Sequence, residues 1–260
     1  MLWAELSGSE LSISHARQTS KSAVQPETLS FSLESIDGAN EWVSKLLDQA
    51  YGKAQREKRL RILVNPHSGK GGAEKIYSRD VEPIFDAARC HIDTSSTKYG
   101  GEAREIAEKL NIDSYDAMVA CSGDGLIHEI FNGLGKRPDA KRALSKIALA
   151  HIPCGSGNGM SCNTNGNKVS PSMSALATVK GVRTPLDLVS ITQGNTRILS
   201  FLSQAVGIVA EFDLATENLR WMGGTLRFTY GYLVRAMKKK IYPCKEDRGV
   251  ASPTYRLFHE

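Results

Sequence analysis

No apolar run in the chain approaches the roughly 18 residues that a membrane-spanning helix needs. No basic stretch followed by an apolar one stands near its start, so no secretory leader is expected. Cysteine is sparse. Cys90, Cys121, Cys154, Cys162 and Cys244 are odd in number and form no Cys-x-x-Cys pair. They read as reduced thiols of an intracellular protein, not as a disulfide frame or a zinc site. His128-Glu129 does not begin a His-Glu-x-x-His zinc helix, because position 132 is Asn. No Walker A loop is present, and Gly155-x-Gly157 lacks the third glycine of a dinucleotide fingerprint, since Met160 stands in its place. Neither sign of charge dominates. The net charge of +5 leaves nucleotides, anionic lipid surfaces and nucleic acid open as partners.

What is present is ordinary globular composition, 41% apolar and 23% charged, in a chain long enough for one large or two modest domains. Two basic runs, 53–61 and 235–240, read as solvated surface. Residues 1–30 are rich in Ser and Gln with little periodicity and are expected to be disordered or a truncated leader. A strand is expected at 29–33. A helix capped by Asp37 or Asn40 should follow through Tyr51, with Trp42, Val43, Leu46, Leu47 and Ala50 at helical spacing.

From residue 60 the texture becomes regular. Strands are expected at 60–64, 90–92, 115–121 and 147–152. Helices should follow over 72–89, 101–110 and 125–134, and from 156 onward. This alternation implies an α/β fold, a parallel sheet covered on both faces. After Thr184 the alternation stops. Residues 186–192 and 197–206 read as two antiparallel strands joined at Gln193-Gly194-Asn195, followed by mostly helical residues over 216–237. A second, β-rich unit is expected to begin there and to remain unfinished at Glu260.

Three glycine-rich turns carry the chemistry. They are 65–72 (Asn-Pro-His-Ser-Gly-Lys-Gly-Gly), 122–125 (Ser-Gly-Asp-Gly) and 153–159 (Pro-Cys-Gly-Ser-Gly-Asn-Gly), and each follows a strand and opens a helix. The carboxyl ends of parallel strands share one sheet edge, where ligands bind. Glycine turns and helix N-termini on that edge suit a phosphate chain. Any one turn could be mere turn chemistry. Asp124-Gly125 could even be a hairpin, but Leu126, Ile127, Ile130, Phe131 and Leu134 then repeat with helical spacing. An acid inside a phosphate cradle calls for a task. Asp124 could accept the proton of an attacking hydroxyl, or help hold Mg²⁺ through water.

These three motifs, in this order and at this spacing, resemble the diacylglycerol kinase catalytic family, and within it the sphingosine kinase branch. The likeness runs over about residues 60 to 235. It implies a three-layer, phosphofructokinase-like nucleotide lobe followed by the start of a β-sandwich lobe that holds a lipid. The implied division is a partly disordered N-terminal extension over 1–56, the end of a pleckstrin-homology-like membrane module. A catalytic domain over 57–196 follows, with its nucleotide lobe reaching about 182. The lipid lobe begins at 197–260. The resemblance implies ATP with Mg²⁺, and transfer of the γ-phosphate to the primary hydroxyl of a sphingoid base. A diacylglycerol or ceramide kinase, or a catalytically incomplete nucleotide-binding fragment, is the alternative. It implies Asp124 as catalytic base. Nucleotide contacts are implied at Asn65, Pro66, His67, Thr97, Ser122, Gly123, Gly125, Glu129, Gly155, Ser156 and Gly157, with Arg220 and Arg227 on the phosphates. Asp213 would pair with the lipid amine and Ser203 with its head group. Membrane contact would be peripheral, and nucleic acid is not an expected partner.

Overall fold

The computed structural model describes residues 1–166, 170–205, 207–216, 219 and 224–237. Four parallel strands organise it: β4 (Arg59–Val64), β5 (His91–Ser96), β6 (Ala117–Ser122) and β7 (Ala148–Pro153), in the order β5-β4-β6-β7. β4, β6 and β7 are short and mainly apolar, while the edge strand β5 is polar and largely exposed; β6 is buried at every position, as a strand covered on both faces must be. Alternate side chains feed two cores. Leu60, Ile62, Val64, Val119 and Cys121 face one cluster, and Leu63, Met118 and Ala120 face the other. The first is closed by Tyr77, Val81, Ile84, Phe85, Ala175 and Val179. The second is closed largely by α4 (Glu102–Lys109), α5 (Asp124–Lys136) and α6 (Ala140–Lys146). The result is a three-layer α/β lobe.

The helix expected at 72–89 is interrupted. It runs as α2 (Ala73–Ile76), a π-helical turn (Tyr77–Val81) and α3 (Glu82–Ala87). Pro83 supplies no N–H and its ring crowds the carbonyl four residues back. Widening the preceding turn accommodates both. After β7 the chain makes α7 (Gly159–Asn165) and α8 (Pro171–Lys180), where Ser170 caps the N–H of Met173 at 3.2 Å and Pro171 opens the first turn. The hairpin β8 (Val189–Gln193) and β9 (Thr196–Ser200) follows as a separate antiparallel pair. Helices α9 (Ile208–Ala215) and α10 (Gly224–Met237) come after it.

The N-terminal residues depart from expectation. Instead of a disordered leader they form an antiparallel sheet of β1 (Trp3–Ser7), β2 (Glu10–Ser20) and β3 (Ala23–Ser32). Two-residue turns join the strands, and Gly8, at φ 61°, provides the left-handed conformation in the first. Leu2, Ala4, Leu11 and Val24 point inward and join Val43, Leu47 and Tyr51 of α1 (Ala39–Tyr51). That cluster is continuous with the parallel-sheet core. Polar stitching reinforces it: Val24 N–H donates to Ser172 Oγ at 3.1 Å, and Tyr51 Oη donates to the Leu2 carbonyl at 2.6 Å. Lys180 Nζ lies 3.5 Å above the Tyr51 ring. The sheet exists because it has an apolar surface to cover, not because its own sequence is strongly strand-forming.

Candidate active site

The order β5-β4-β6-β7 is, counted along the chain, 2-1-3-4. In such a sheet the crossover direction reverses between the first and third strands, and the crevice outside their carboxyl ends receives ligands. Here those strands are β4 and β6. The turn at 65–72 leaves β4 and the turn at 122–125 leaves β6, so both flank the switch point. The turn at 153–159 leaves the neighbouring strand β7.

The three turns touch through their glycines. A methyl group at Gly155 would stand 2.3 Å from Gly123 Cα and 2.5 Å from Gly123 N. One at Gly123 would lie 2.8 Å from the Gly157 carbonyl oxygen, and one at Gly69 would lie 2.7 Å from that of Cys154. Gly69 is also left-handed, at φ 59°. Backbone bonds fasten the cluster. Asn65 N–H donates to Cys121 O at 3.1 Å, Cys154 N–H to Ser122 O at 3.0 Å, and Asp124 N–H to Gly157 O at 3.2 Å. Asn158 closes the third turn by donating to Gly155 O at 2.9 Å and accepting from Gly155 N–H at 3.0 Å.

Asp124 opens α5 and sits in the middle. Its Oδ2 accepts from Gly159 N–H at 2.7 Å and its Oδ1 from Met160 N–H at 3.0 Å, so the carboxylate caps the first turn of α7. The side chain is thereby held at one orientation between the second and third turns, about one-fifth exposed. Behind it lies His151 of β7, whose imidazole is fully buried. Its Nε2 donates to Ser122 O at 2.9 Å, and its Nδ1 is 3.8 Å from Asp124 Oδ1 with no hydrogen-bond partner among the described residues. Burial pushes the His151 pKa below its ordinary value, against the opposing pull of the Ser122 carbonyl and the Asp124 charge. Glu129, on the same helix as Asp124, also buries one carboxylate oxygen that has no hydrogen-bond partner among the described residues.

The sheet edge brings together Asn65, Pro66, Thr97, Ser122, Gly123, Asp124, Gly155 and Gly157. Asn65 Oδ1 accepts from His67 N–H at 3.0 Å, which shapes the first turn. Thr97 is buried, its N–H donating to Val64 O at 2.8 Å beside that turn. His67, Gly125, Ser156 and Gly157 are exposed, as groups facing a ligand would be. Ser203 is exposed and lies just past β9. Asp213 falls in α9 and Arg227 in α10; Arg220 lies outside the described residues. Among the described residues no three His, Cys, Asp or Glu side chains converge as a metal cage. Both oxygens of Asp124 are engaged by backbone N–H groups. Each oxygen accepts one of these and keeps a further lone pair, and a divalent ion here would be carried by nucleotide phosphates and water.

Two contributors escaped the sequence reading. One is His151, a lone polar residue in an apolar strand. The other is Asn132, whose amide grips β9. It accepts from Leu199 N–H at 2.9 Å and donates to Leu199 O at 2.9 Å, as a neighbouring strand would. Gly135, where a methyl group would lie 2.4 Å from Leu199 Cδ1, and the Phe131–Phe201 ring pair, 5.3 Å apart, complete the seat. The helix that presents Asp124 at one end therefore holds the β8–β9 hairpin further along.

The diacylglycerol kinase catalytic domain model matches residues 59–191. The chain belongs to the diacylglycerol kinase catalytic family. A second model, described as a domain of unknown function, matches residues 1–52. Among similar curated proteins is sphingoid long chain base kinase 5 of Saccharomyces cerevisiae, 42% identical over 209 residues, covering 78% of this chain and 30% of that protein. Sphingoid long chain base kinase 4 of Schizosaccharomyces pombe is 34% identical over 253 residues, covering 97% and 54%. Sphingosine kinase 2 of Arabidopsis thaliana is 35% identical over 196 residues, covering 74% and 40%. The chain thus spans between 30% and 54% of the length of these three family relatives.

Proposed function

We propose that this chain carries the nucleotide-binding lobe and the start of the lipid-binding lobe of an ATP-dependent sphingoid base kinase. The observation that carries the reading is the position of Asp124, fixed where three mutually packed glycine turns meet at the switch point of a parallel sheet. Turns of this kind suit the triphosphate of ATP, because glycine lets the backbone come close and offers its N–H groups. Magnesium is the divalent ion that phosphoryl transfer ordinarily uses, bridging phosphate oxygens and offsetting charge.

In this reading Asn65, Pro66, His67, Thr97, Ser122, Gly123, Gly125, Glu129, Gly155, Ser156 and Gly157 hold the nucleotide. Asp124 orients the lipid's primary hydroxyl toward the γ-phosphate and takes its proton as the new O–P bond forms. Arg220 and Arg227 offset the charge that develops on the phosphoryl oxygens. Asp213 receives the ammonium group of the sphingoid base, since a protonated amine entering an apolar pocket needs an anionic partner. Ser203 contacts the lipid head. The domain division runs 1–56, 57–196 and 197–260, with the first segment contributing to the membrane-facing part of the protein. No helix among the described residues is long and apolar enough to cross a membrane, so contact with the lipid surface is proposed as peripheral.

The test of this reading is Asp124→Asn. The amide keeps the side chain's size and one acceptor oxygen for the cap on α7. Nucleotide should still bind with an affinity within a few-fold of wild type, while phosphate transfer falls by a factor of about 10² or more. Undiminished transfer would remove Asp124 from the chemistry.

A further inference from the structure

We propose that His151 is the proton partner of Asp124: its Nδ1 receives, through the Asp124 carboxylate, the proton that the substrate hydroxyl gives up. The inference rests on the reading of Asp124 as the group that meets that hydroxyl.

The geometry fixes the tautomer. A carbonyl oxygen only accepts, so the 2.9 Å contact with Ser122 O requires hydrogen on Nε2. Nδ1 of the neutral ring is then a bare acceptor. It is buried, it has no hydrogen-bond partner among the described residues, and it faces Asp124 Oδ1 at 3.8 Å. Two acceptors facing each other are unfavourable, and a buried polar atom left unsatisfied keeps its desolvation penalty. A single proton placed between them converts the clash into an O–H···N hydrogen bond, once the atoms close the roughly 1 Å by which they exceed bonding distance. The arrangement is therefore poor in the resting site and good after proton transfer, which is the difference that lowers a barrier.

The surroundings support this. Asp124 is the charged group whose field reaches His151, and Ser122 supplies the other polar contact. Burial keeps the resting ring neutral. Gly159 N–H binds Asp124 Oδ2 and Met160 N–H binds Oδ1, so the carboxylate cannot swing away from the ring without uncapping α7. In the step itself the hydroxyl O–H bond breaks and its oxygen bonds to the γ-phosphorus. The bond from that phosphorus to the bridging oxygen breaks with its electron pair leaving on ADP. The proton comes to rest between Asp124 Oδ1 and His151 Nδ1, and returns to solvent when product departs.

A histidine kept only to satisfy Ser122 O would be replaceable by glutamine, whose side-chain amide N–H can occupy the Nε2 position. His151→Gln removes the basic Nδ1 nitrogen while keeping a donor for Ser122 O, and its amide oxygen can accept a hydrogen bond but not take up the proton. The expected result is a kcat at least about tenfold lower, with KM for ATP within twofold of wild type. The acid limb of the pH–kcat profile should move to lower pH, because protonated Asp124 loses its acceptor. Wild-type kcat with an unmoved profile would overturn the inference. If Asp124→Asn retains turnover, the base assignment falls and takes this inference with it. If Asp124→Asn is inactive and His151→Gln behaves as wild type, this inference alone falls. A second measurement needs neither turnover nor the glutamine variant. Ring ¹⁵N spectra of the wild-type protein near pH 7 should show hydrogen on Nε2 and none on Nδ1, and the Nδ1 signal should shift in Asp124→Asn. A Nδ1–H tautomer, or a charged ring, would overturn the inference.

Discussion

Replacing Gly155 by alanine tests directly whether the glycine turns form one packed cradle. The new methyl carbon would stand 2.3 Å from Gly123 Cα. Non-bonded carbons settle at about 3.5–4.0 Å, so the two turns must separate by roughly 1.2 Å or more. The obstacle is backbone, which cannot rotate away as a side chain could. Overpacking of this kind costs about 1–3 kcal/mol. For a lobe of this size each kcal/mol lowers Tm by about 2–4 °C, which gives a drop on the order of 2–12 °C. A ligand spanning both turns suffers more, because displacement of contacts by about 1 Å can cost a factor near 10². Gly125→Ala is the matched control. It lies in the same motif, yet a methyl group there meets nothing within 4 Å, and it falls in the first turn of α5. Alanine there should leave Tm unchanged or raise it, by at most about 1 kcal/mol of helix stability. It should still weaken nucleotide binding if phosphates approach the exposed N–H at that point. The assay is a thermal melt beside a titration with a fluorescent ATP analogue. Wild-type Tm and affinity in Gly155→Ala would refute the packed-cradle argument.

Three further outcomes follow from the same physics. Asn132→Ala strips the N–H and C=O of Leu199 of their side-chain partner; a loss of about 2 kcal/mol is expected in a denaturant melt, with earlier proteolysis at the β8–β9 hairpin. Asp116, paired with Arg59 Nη2 at 2.8 Å and Arg59 N–H at 2.8 Å, is subject to burial that acts to raise its pKa, but the hydrogen bonds and charge of Arg59 outweigh this and hold it at about 2. A depressed carboxyl pKa stabilises the fold fully above its unfolded value near 4 and loses that contribution as pH falls through about 2. The stability gap between wild type and Asp116→Asn should therefore be constant above about pH 5 and shrink toward pH 2 in acid titrations; a gap independent of pH would contradict it. Asp213→Asn should raise the apparent KM for the lipid more than that for ATP in steady-state kinetics, and a selective ATP defect would contradict the proposed amine contact.

Much of the catalytic lobe was legible because its signals are local. Residues 60–64 and 117–122 are short apolar runs ended by turn residues, and that pattern survives in any context. The three glycine turns announced themselves by type and by their place after strands. What they could not show was that Gly69, Gly123, Gly155 and Gly157 touch one another, since that depends on strand order. The N-terminal sheet was missed for a related reason. Its outward positions are Ser12, Ser14, Thr28 and Ser30, which dilute the alternation of Leu2, Ala4, Leu6, Leu11 and Ile13. Its stability comes from residues far along the chain, such as Ser172 and Val179. Ser170-Pro171, by contrast, is a helix start that the sequence alone displays. His151 needed the register that sets β7 beside β6 before its link to Ser122 and Asp124 had any meaning.

Transfer of phosphate from ATP to a sphingoid base is read out by supplying the protein with γ-labelled ATP, Mg²⁺ and mixed micelles that contain sphingosine, diacylglycerol or ceramide in parallel. Label should appear in the sphingoid base and be lost in Asp124→Asn. Label in diacylglycerol or ceramide with none in sphingosine would contradict the proposed substrate, and label in no lipid would contradict the proposed reaction.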